Sequence, residues 1–320
     1  MHNVRAVLFD EDIGGISGIM SLLVVGSIAL DSIRTPFGKA EEALGGSAVY
    51  FSCAASFFNP TRLVGVVGAD FPKKYIGLLN KKGIDLKGLK IDGGRTFRWK
   101  GEYGFDLNTA HTIYTHLNVF AKFRPEIPAE YRDSDNVFLA NIDPSLQMDV
   151  LRQVDDPRLI ACDTMNYWIE NKPRELKKLM KDVHIFFAND TEAREFSGEL
   201  NLLKAARYIF SCGPKIAIIK KGEHGVLCVS KDFIFSYPAY ILEDPFDPTG
   251  AGDTFAGGFM GYLSKVRRIN ETELRRGCAY GTILASFAVE DFSVNRVLKL
   301  KERDIRDRYK KFKKLMHLSD

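Results

Sequence analysis

Short, continuous apolar runs recur along the chain and constrain its fold more than any other feature. They are apolar throughout instead of alternating with polar residues, which is typical of strands buried on both faces of a parallel sheet. The runs lie at residues 21–26, 63–67, 137–140, 159–162, 183–187 and 216–219. Helical patterns separate them, at residues 47–57, 73–82, 145–154, 174–180 and 202–209. This alternation predicts an α/β chain whose sheet is covered by helices on both sides.

Two segments depart from this alternation. Over residues 97–106 aromatic and charged side chains alternate, and the aromatic side holds Phe97, Trp99, Tyr103 and Phe105. A period of two with one aromatic face predicts a half-exposed antiparallel strand or hairpin. Residues 33–44 also fall outside the pattern of the main sheet. We expect the two segments to form a small accessory sheet, whose aromatic face covers the active site, a partner subunit or the main domain.

Composition and charge exclude several classes of protein. The chain has 320 residues, 45% apolar and 27% charged, as in a soluble globular protein. A net charge of +4 is too balanced for a nucleic-acid binder, and no apolar run approaches the length of a membrane span. The five cysteines are scattered without a C-x-x-C pair, which favours reduced thiols in the cytoplasm over a disulfide framework or a zinc site.

The beginning of the chain follows no clear period. Residues 1–19 include Asp10, Glu11 and Asp12, so they make a poor secretion signal. They are an N-terminal extension of uncertain status, and Met20 is an alternative start of translation. We expect one domain over residues 20–320.

The sequence DPTGAGDTFAGGF, residues 247–259, predicts an anion site. Its small residues let a ligand approach the backbone, and the helical pattern that follows offers unpaired N–H groups at its start. Asp253 lies at that helix start. A carboxylate there is either a first-turn helix residue or, beside a bound phosphate, a general base.

Four motifs, in order along the chain, resemble those of the ribokinase-like (pfkB) family of carbohydrate and nucleoside kinases. The resemblance spans about residues 21–297 and rests on Gly45-Gly46, Asn189-Asp190-Thr191-Glu192, Lys220-Lys221-Gly222-Glu223-His224-Gly225 and the DPTGAGD sequence of residues 247–253. It implies a three-layer sandwich with a mainly parallel central sheet, and a small β lid over the substrate built from residues 33–44 and about 95–120.

The resemblance also implies ATP-dependent transfer of a phosphoryl group to a hydroxyl. Asp253 is then the general base, and the amides of Gly250, Ala251 and Gly252 hold the transferring phosphoryl oxygens. Asn189 and Glu192 organise Mg²⁺ through water, although both also suit a helix cap. The ATP-binding turn contains Lys220, Gly222 and Gly225, with Lys221 as the functional lysine if the register slips by one.

The acceptor substrate is expected at Asp31, Gly45 and Gly46, with Asp143 as a weaker candidate. A carboxylate that accepts two hydroxyls suits a sugar or ribose ring. The family's polar helix start is replaced here by Ser47-Ala48-Val49-Tyr50, which removes a sugar contact and introduces an aromatic ring. A sugar or sugar derivative is the first expectation for the substrate. A nucleoside is the alternative, because Tyr50 and the aromatic side of residues 97–106 offer stacking surfaces.

Other expectations are weaker. Some relatives bind a monovalent cation through the loop that corresponds to Asp247 and Thr249, and a homodimer through the lid has precedent in the family. A catalytically silent regulator is a remote alternative, since Asp253 and the Gly-Ala-Gly step are intact. No G-x-G-x-x-G follows the first strand, which argues against a dehydrogenase. His111 and His116 show no metal-ligand spacing and are expected at the surface.

Overall fold

The computed structural model describes residues 20–316, so the expectations for residues 1–19 lie outside the described part of the chain. The strands of the described residues are β1 (Leu22–Val25), β2 (Ala29–Thr35), β3 (Gly38–Gly45), β4 (Thr61–Gly68), β5 (Ile84–Asp92), β6 (Phe97–Tyr103), β7 (Ala110–His116), β8 (Asn136–Leu139), β9 (Leu159–Cys162), β10 (Ile185–Asn189), β11 (Ile216–Lys220), β12 (Val226–Ser230) and β13 (Ile234–Tyr237). The helices are α1 (Ser47–Ala55), α2 (Lys73–Lys81), α3 (Pro144–Leu151), α4 (Asn166–Asn171), α5 (Pro173–Met180), α6 (Asp190–Ser197), α7 (Leu202–Cys212), α8 (Ala251–Leu263), α9 (Glu271–Ala288), α10 (Asn295–Lys299) and α11 (Glu302–Leu315).

Each of the six apolar runs forms a strand of one nine-stranded sheet, which confirms the α/β prediction. The strand order is β13-β12-β11-β10-β9-β8-β1-β4-β5. The strands from β11 to β5 pair in parallel, whereas β12 and β13 are antiparallel. The chain leaves β1 toward β4 and β5 and returns on the other side at β8. The carboxyl ends of strands at such a change of direction form the usual ligand crevice of an open α/β sheet.

The side chains of β1 show how the layers are built. Leu22 and Val24 belong to the core beneath α1, α8 and α9, whereas Leu23 and Val25 belong to the core beneath α5, α6 and α7. Since successive side chains of a strand point to opposite faces, a continuous apolar run is required for burial on both sides. The predicted three-layer sandwich is thereby confirmed.

Small residues bring α8 close to its neighbours. A Cβ at Gly257 would lie 2.3 Å from the carbonyl oxygen of Phe51 in α1, and one at Gly281 would lie 2.8 Å from that of Phe255. The small residue Gly281 of α9 therefore allows a close helix contact. The contact holds α8 between α1 and α9 and sets the position of its N-terminus.

The accessory sheet is present, with the strand order β3-β2-β6-β7. It confirms the predicted second sheet, although its strands begin earlier than expected, with β2 starting at Ala29. In the parallel pair of β2 and β6, Asp31 lies opposite Trp99. Phe97 stacks on Phe120, with ring centroids 5.4 Å apart. The contact between Phe97 and Phe120 thus anchors one end of this accessory sheet, the lid. Asp31 and Trp99 lie on the same face of the lid.

Two further details concern the C-terminal helices and the sheet edge. Residues 295–315 form two helices, α10 and α11, and not one. Leu300 separates them, because that residue is extended and buries its side chain. Strand β5 has no continuous apolar run since it is an edge strand with many exposed side chains. Across residues 20–316, no helix combines the length and apolar character needed to cross a membrane.

Candidate active site

The start of α8 is a turn held in an unusual conformation. Gly250 is its N-cap, with φ 71° in the left-handed region, and a Cβ there would lie 2.3 Å from ring atoms of Tyr50. Both the backbone and the packing therefore require glycine. The buried carboxylate of Asp247 holds the turn in place, because it accepts hydrogen bonds from the backbone amides of Thr249 at 2.9 Å and Ser293 at 3.1 Å.

The amides of this turn are not equivalent. Ala251 donates its N–H to the carbonyl of Pro248 at 3.1 Å, so this amide is already used within the turn. Gly252 lies in the first helical turn, where N–H groups lack an intrahelical acceptor. A Cβ at Gly252 would lie 3.2 Å from the Lys220 ammonium. The helix start thus presents an amide and a cation together, which is an arrangement that binds anions.

Three adjacent parallel strands bring charged residues to this helix start. Asp163 follows β9, Glu192 lies in the first turn of α6 after β10, and Lys220 ends β11. Lys220 Nζ donates to Asp163 Oδ2 at 2.6 Å, and Asp163 is 2% exposed. The carboxyl edge of the sheet therefore places two carboxylates around one ammonium, next to Asp253.

The electrostatics of this cluster follow from burial and an excess of negative charge. Burial raises the pKa of Asp253 to about 7; Asp163 raises it further, whereas Lys220 lowers it. Burial likewise raises the pKa of Glu192 to about 7, opposed by Lys220 and supported by Asp163. For Lys220, burial acts to lower the pKa, but the three carboxylates outweigh it and the pKa is raised. The Lys220 ammonium therefore stays charged. The carboxylates of Asp163, Glu192 and Asp253 share this single cation.

Asn189 and Glu192 form a capping box at the start of α6. The amide of Asn189 donates to Glu192 Oε2 at 2.6 Å, and the amide of Glu192 donates to Asn189 Oδ1 at 2.7 Å. Within residues 20–316 no three His, Cys, Asp or Glu side chains come together as a metal cage. Mg²⁺ needs no such cage, since it keeps several waters and takes one or two carboxylates plus phosphate oxygens. The excess of carboxylates beside Glu192 fits a cation that arrives with a phosphate ligand.

On the other side of the helix start lies Asp31, on β2. Its side chain is buried, and a Cβ at Gly45 would lie 1.8 Å from its Oδ2. Gly46, at φ 96°, donates its amide to the same carboxylate. Burial raises the pKa of Asp31 to about 7; the Gly46 amide lowers it, and Asp247 and Asp253 raise it. Gly45 and Gly46 thus leave room for the carboxylate of Asp31, whose pKa is raised by the negative charge of Asp253.

Asp143, the weaker candidate, is engaged elsewhere. Its Oδ1 accepts the amide of Ser145 at the start of α3, and its Oδ2 pairs with Lys172. These are the contacts of a helix cap with an ion pair. A role for Asp143 in substrate binding stays a prediction without added support.

A cavity of about 480 Å³ opens from Lys220 and Gly252. Its walls include Thr282 and Ala285 of α9. The turn after β11 closes one end, and there Gly222 has φ 55° and Gly225 has φ 86°. A Cβ at Gly225 would lie 2.0 Å from the carbonyl oxygen of Tyr237, so this turn also requires glycine. A cavity of this volume suits a ligand of nucleotide size.

The tip of the lid reaches this cavity. Residues 105–108, between β6 and β7, line it, and Asn108 Nδ2 donates to Glu223 Oε1 at 3.3 Å. A Cβ at Gly222 would lie 2.9 Å from Asn108 Oδ1. The lid therefore carries Asp31 on β2 and reaches the wall of the cavity through Asn108.

Two site residues, Asp163 and Asn108, escaped the sequence analysis. Asp163 was detectable as a polar residue directly after a buried strand. Tyr103 belongs to the aromatic alternation, but its contact with Thr249, at 3.1 Å between hydroxyls, joins residues far apart in sequence. Lys221 is only partly exposed and its Nζ lies 3.3 Å from Ser236 Oγ, outside the charged cluster, so Lys220 is the lysine of that cluster.

A helix start suited to anions, a carboxylate beside it and a nucleotide-sized cavity are the features that a phosphotransferase site requires. A family model described as pfkB family carbohydrate kinase matches residues 21–299. The chain belongs to this family, and it is a kinase.

Relatives of this chain include a cytidine kinase from Thermococcus kodakarensis, 30% identical over 79% of this chain and 92% of the relative. A nucleoside kinase from Thermoplasma acidophilum is 24% identical, covering 84% and 85%. Among solved structures, Burkholderia thailandensis nucleoside kinase in complex with inosine has a TM-score of 0.76 at 19% identity, over 91% of this chain and 97% of that one. A putative ribokinase II from E. coli, in complex with ATP and Mg²⁺, has a TM-score of 0.74 at 16% identity, over 91% and 99%.

These comparisons change the order of the expected substrates. The first expectation was a sugar, with a nucleoside as the alternative. The cytidine and nucleoside kinases match this chain along most of their length, so the relatives support the nucleoside alternative better than the sugar.

Proposed function

We propose that the protein is an ATP-dependent nucleoside kinase, which transfers the γ-phosphoryl group of ATP to a ribose hydroxyl. One observation carries the proposal: Asp253 lies at the anion-binding helix start and acts electrostatically on both Lys220 and Asp31. A general base between a phosphate site and a hydroxyl-binding carboxylate is the arrangement that phosphoryl transfer to an alcohol requires.

The lid supports a nucleoside as the acceptor. Asp31 and Trp99 occupy paired positions on neighbouring parallel strands and share a face of the lid sheet. The Trp99 ring lies along Gly101, where a Cβ would approach it to 2.3 Å, and its indole N–H donates to Thr112. A ribose held by Asp31 would place its base near this half-buried indole, which offers a stacking surface. Tyr50 does not serve in that way, since its ring is buried against Gly250.

The proposed reaction assigns a task to each side of the site. The acceptor hydroxyl donates to Asp253 and loses its proton to this carboxylate as its oxygen bonds the γ-phosphorus. The bond from the γ-phosphorus to the bridging oxygen breaks, and ADP leaves. The Gly252 amide and Lys220 stabilise the charge on the transferring oxygens. Glu192 and Asn189 would hold Mg²⁺ through water, and the bound ion would supply positive charge that offsets the negative charge of the phosphates.

ATP is proposed for the cavity between α9 and the turn of residues 222–225. The backbone of that turn admits a nucleotide at close range because its glycines carry no side chain. A monovalent cation near Asp247 stays an expectation, since both oxygens of this carboxylate already accept amide hydrogens. The scattered cysteines favour the cytoplasm as the location of the enzyme.

Release of ADP from ATP and Mg²⁺ tests the proposal, with cytidine, uridine, adenosine, inosine, guanosine, ribose and fructose as acceptors. We expect at least one nucleoside to exceed free ribose and fructose in kcat/KM by about 100-fold, because the base contributes binding that a free sugar lacks. The Asp253→Asn variant serves as the blank for contaminating kinases. A preference for a free sugar over all five nucleosides would contradict the proposal.

A further inference from the structure

An arginine of the C-terminal helix, Arg308 of α11, lies directly behind the wall of the nucleotide-sized cavity. Its Cζ lies 4.8 Å from the ring centroid of Tyr240, and its Nη1 donates to Ser286 Oγ at 2.9 Å. Of the residues that the structure describes, Tyr240 and Ser286 line the cavity and Arg308 does not. Any effect of Arg308 on a ligand of the cavity is therefore transmitted through these two residues.

The guanidinium of Arg308 is held in place by α9 and the residues that follow it. Its Cζ lies 3.4 Å from the ring centroid of Phe287, and its Nη2 donates to Glu290. The side chain is only 14% exposed. Because a guanidinium is planar and its donors have fixed directions, these contacts set the orientation of the whole group. Arg308 thus presents a fixed planar surface to the ring of Tyr240.

Tyr240 needs such a support. Residues 238–248 form neither a helix nor a strand, so no ladder of backbone hydrogen bonds sets the position of its ring. The ring instead lies against α11, at Arg308 and at Phe312, whose ring centroid is 6.4 Å away. These two residues are four positions apart and so share one face of the helix. The C-terminal helix therefore orients a ring of the cavity wall.

The wall around Tyr240 suits the base of a nucleotide. The hydroxyl of Ser286 donates to the carbonyl of Ile283 at 2.7 Å and accepts from Arg308, so its hydrogen is already used. Apolar side chains complete this part of the wall, namely Ile241, Leu242 and Val289. An aromatic ring among apolar side chains offers packing and stacking to a planar base, whereas the phosphates are proposed at the start of α8.

We propose that Arg308 is a positioning residue for the phosphate donor, which holds the ring of Tyr240 where it packs against the base of ATP. The inference rests on the proposed function, which places ATP in this cavity, and deepens it. It gives the C-terminal helix a part in binding the donor and none in binding the acceptor or in proton transfer.

The test measures the Kd of ADP with Mg²⁺ by isothermal titration calorimetry, and the KM values for ATP and for a nucleoside. Arg308→Lys keeps a positive charge beside Glu290 but loses the planar group that lies against Tyr240. We expect it to raise the Kd of ADP and the KM for ATP by about 5-fold, the size of one lost cation–π contact. The kcat and the KM for the nucleoside should stay within about 2-fold. Tyr240→Leu, which removes the ring itself, should raise the Kd of ADP by about 10-fold.

A double-mutant cycle shows whether Arg308 acts through Tyr240. In the Tyr240→Leu background, Arg308→Lys should change the Kd of ADP by less than about 2-fold, because the ring that it supports is gone. Fold-changes of the two substitutions that multiply would overturn the positioning role while the kinase activity stood.

Arg296→Met is the matched control. Arg296 pairs with the same Glu290 at 3.0 Å, and its Cζ lies 5.1 Å from the Phe287 ring centroid. Among residues 20–316 it forms neither the hydrogen bond to Ser286 nor the ring contact with Tyr240. This variant should leave the Kd of ADP within about 2-fold, and an effect equal to that of Arg308→Lys would overturn the inference. A wild type that bound neither ATP nor ADP would overturn the proposed function as well.

Discussion

The two sides of the proposed site are built by different means. The cavity side is shaped by backbone: Gly222 and Gly225 in the turn, and Gly252 at the helix start, each lie where a side chain would intrude. The proposed acceptor side depends on a side chain, the carboxylate of Asp31, which is buried on the lid. Backbone shape suits a ligand that is the same for all relatives, whereas side chains can change with the substrate. This difference explains why the glycine motifs of the cavity side indicate the reaction but not the identity of the acceptor substrate.

Asp253 belongs to neither side alone, and replacing it is expected to have the largest effect. Asp253→Asn should bind ATP and fold normally, because the amide has nearly the same shape. Its kcat should fall by about 10² to 10⁴, the range contributed by a general base. Turnover of the preferred nucleoside at saturating ATP measures this.

Asp304→Asn provides the matched control, since Asp304 occupies the same third helical position in α11 and caps Lys301 at 2.9 Å. That variant should retain wild-type turnover. If Asp253→Asn did so as well, Asp253 would be a structural first-turn residue and the proposed mechanism would fail.

Lys220 tests whether the cavity side acts through charge as well as through backbone. Lys220→Met removes the cation that Asp163, Glu192 and Asp253 share, so we expect kcat/KM for ATP to fall by about 100-fold. Lys221→Met alters the adjacent, partly exposed lysine and should change kcat/KM for ATP by less than about 2-fold. Equal effects of the two substitutions would contradict the assignment of Lys220. Steady-state kinetics at varied ATP distinguishes these outcomes.

The pH dependence follows from the raised pKa of Asp253. A general base works only when ionised, and burial keeps Asp253 protonated below about pH 7. We therefore expect kcat/KM to rise with pH by about 10-fold per unit below 7 and to level off above it. Since Lys220 lowers the pKa of Asp253, Lys220→Met should move this acidic limb to higher pH.

Asp31 has a similarly raised pKa and offers the competing explanation of that limb. Asp31→Asn decides between them, because an asparagine cannot titrate. If the limb persists near pH 7 in this variant, Asp31 is not its source, and the limb belongs to the cluster of Asp253 and Glu192 around Lys220. Its disappearance would show that binding of the acceptor, and not proton transfer, controls the profile.

The sequence predicted those parts of the site that a single short segment forms, and it missed the contacts between distant segments. Apolar runs predicted the sheet because burial on both faces demands them, and the glycine pair predicted the neighbourhood of Asp31. Asp163 was missed because nothing local to β9 shows that it meets Lys220, 57 residues away. The same holds for Asn108 and Glu223, 115 residues apart, whose contact depends on how the lid folds back. A motif indicates the chemistry of residues that are close in sequence, whereas side-chain contacts between distant segments depend on the fold.

The last prediction concerns the lid tip, the place where the two sides meet, and its expected effect is the smallest. Asn108→Ala removes the contact with Glu223 and loosens the lid above the cavity. Because this contact is exposed and 3.3 Å long, we expect only about a 3-fold rise in the KM for ATP. Asn171→Ala is the control, an exposed asparagine that donates to the Tyr167 carbonyl at 2.8 Å, away from the lid. If the lid couples the sides, Asn108→Ala should also weaken nucleoside binding at saturating ATP, although Asn108 lies over the cavity and the proposed ribose contact is Asp31. A change in the KM for ATP alone would show that the lid tip affects only the cavity side. The two sides would then bind their ligands independently.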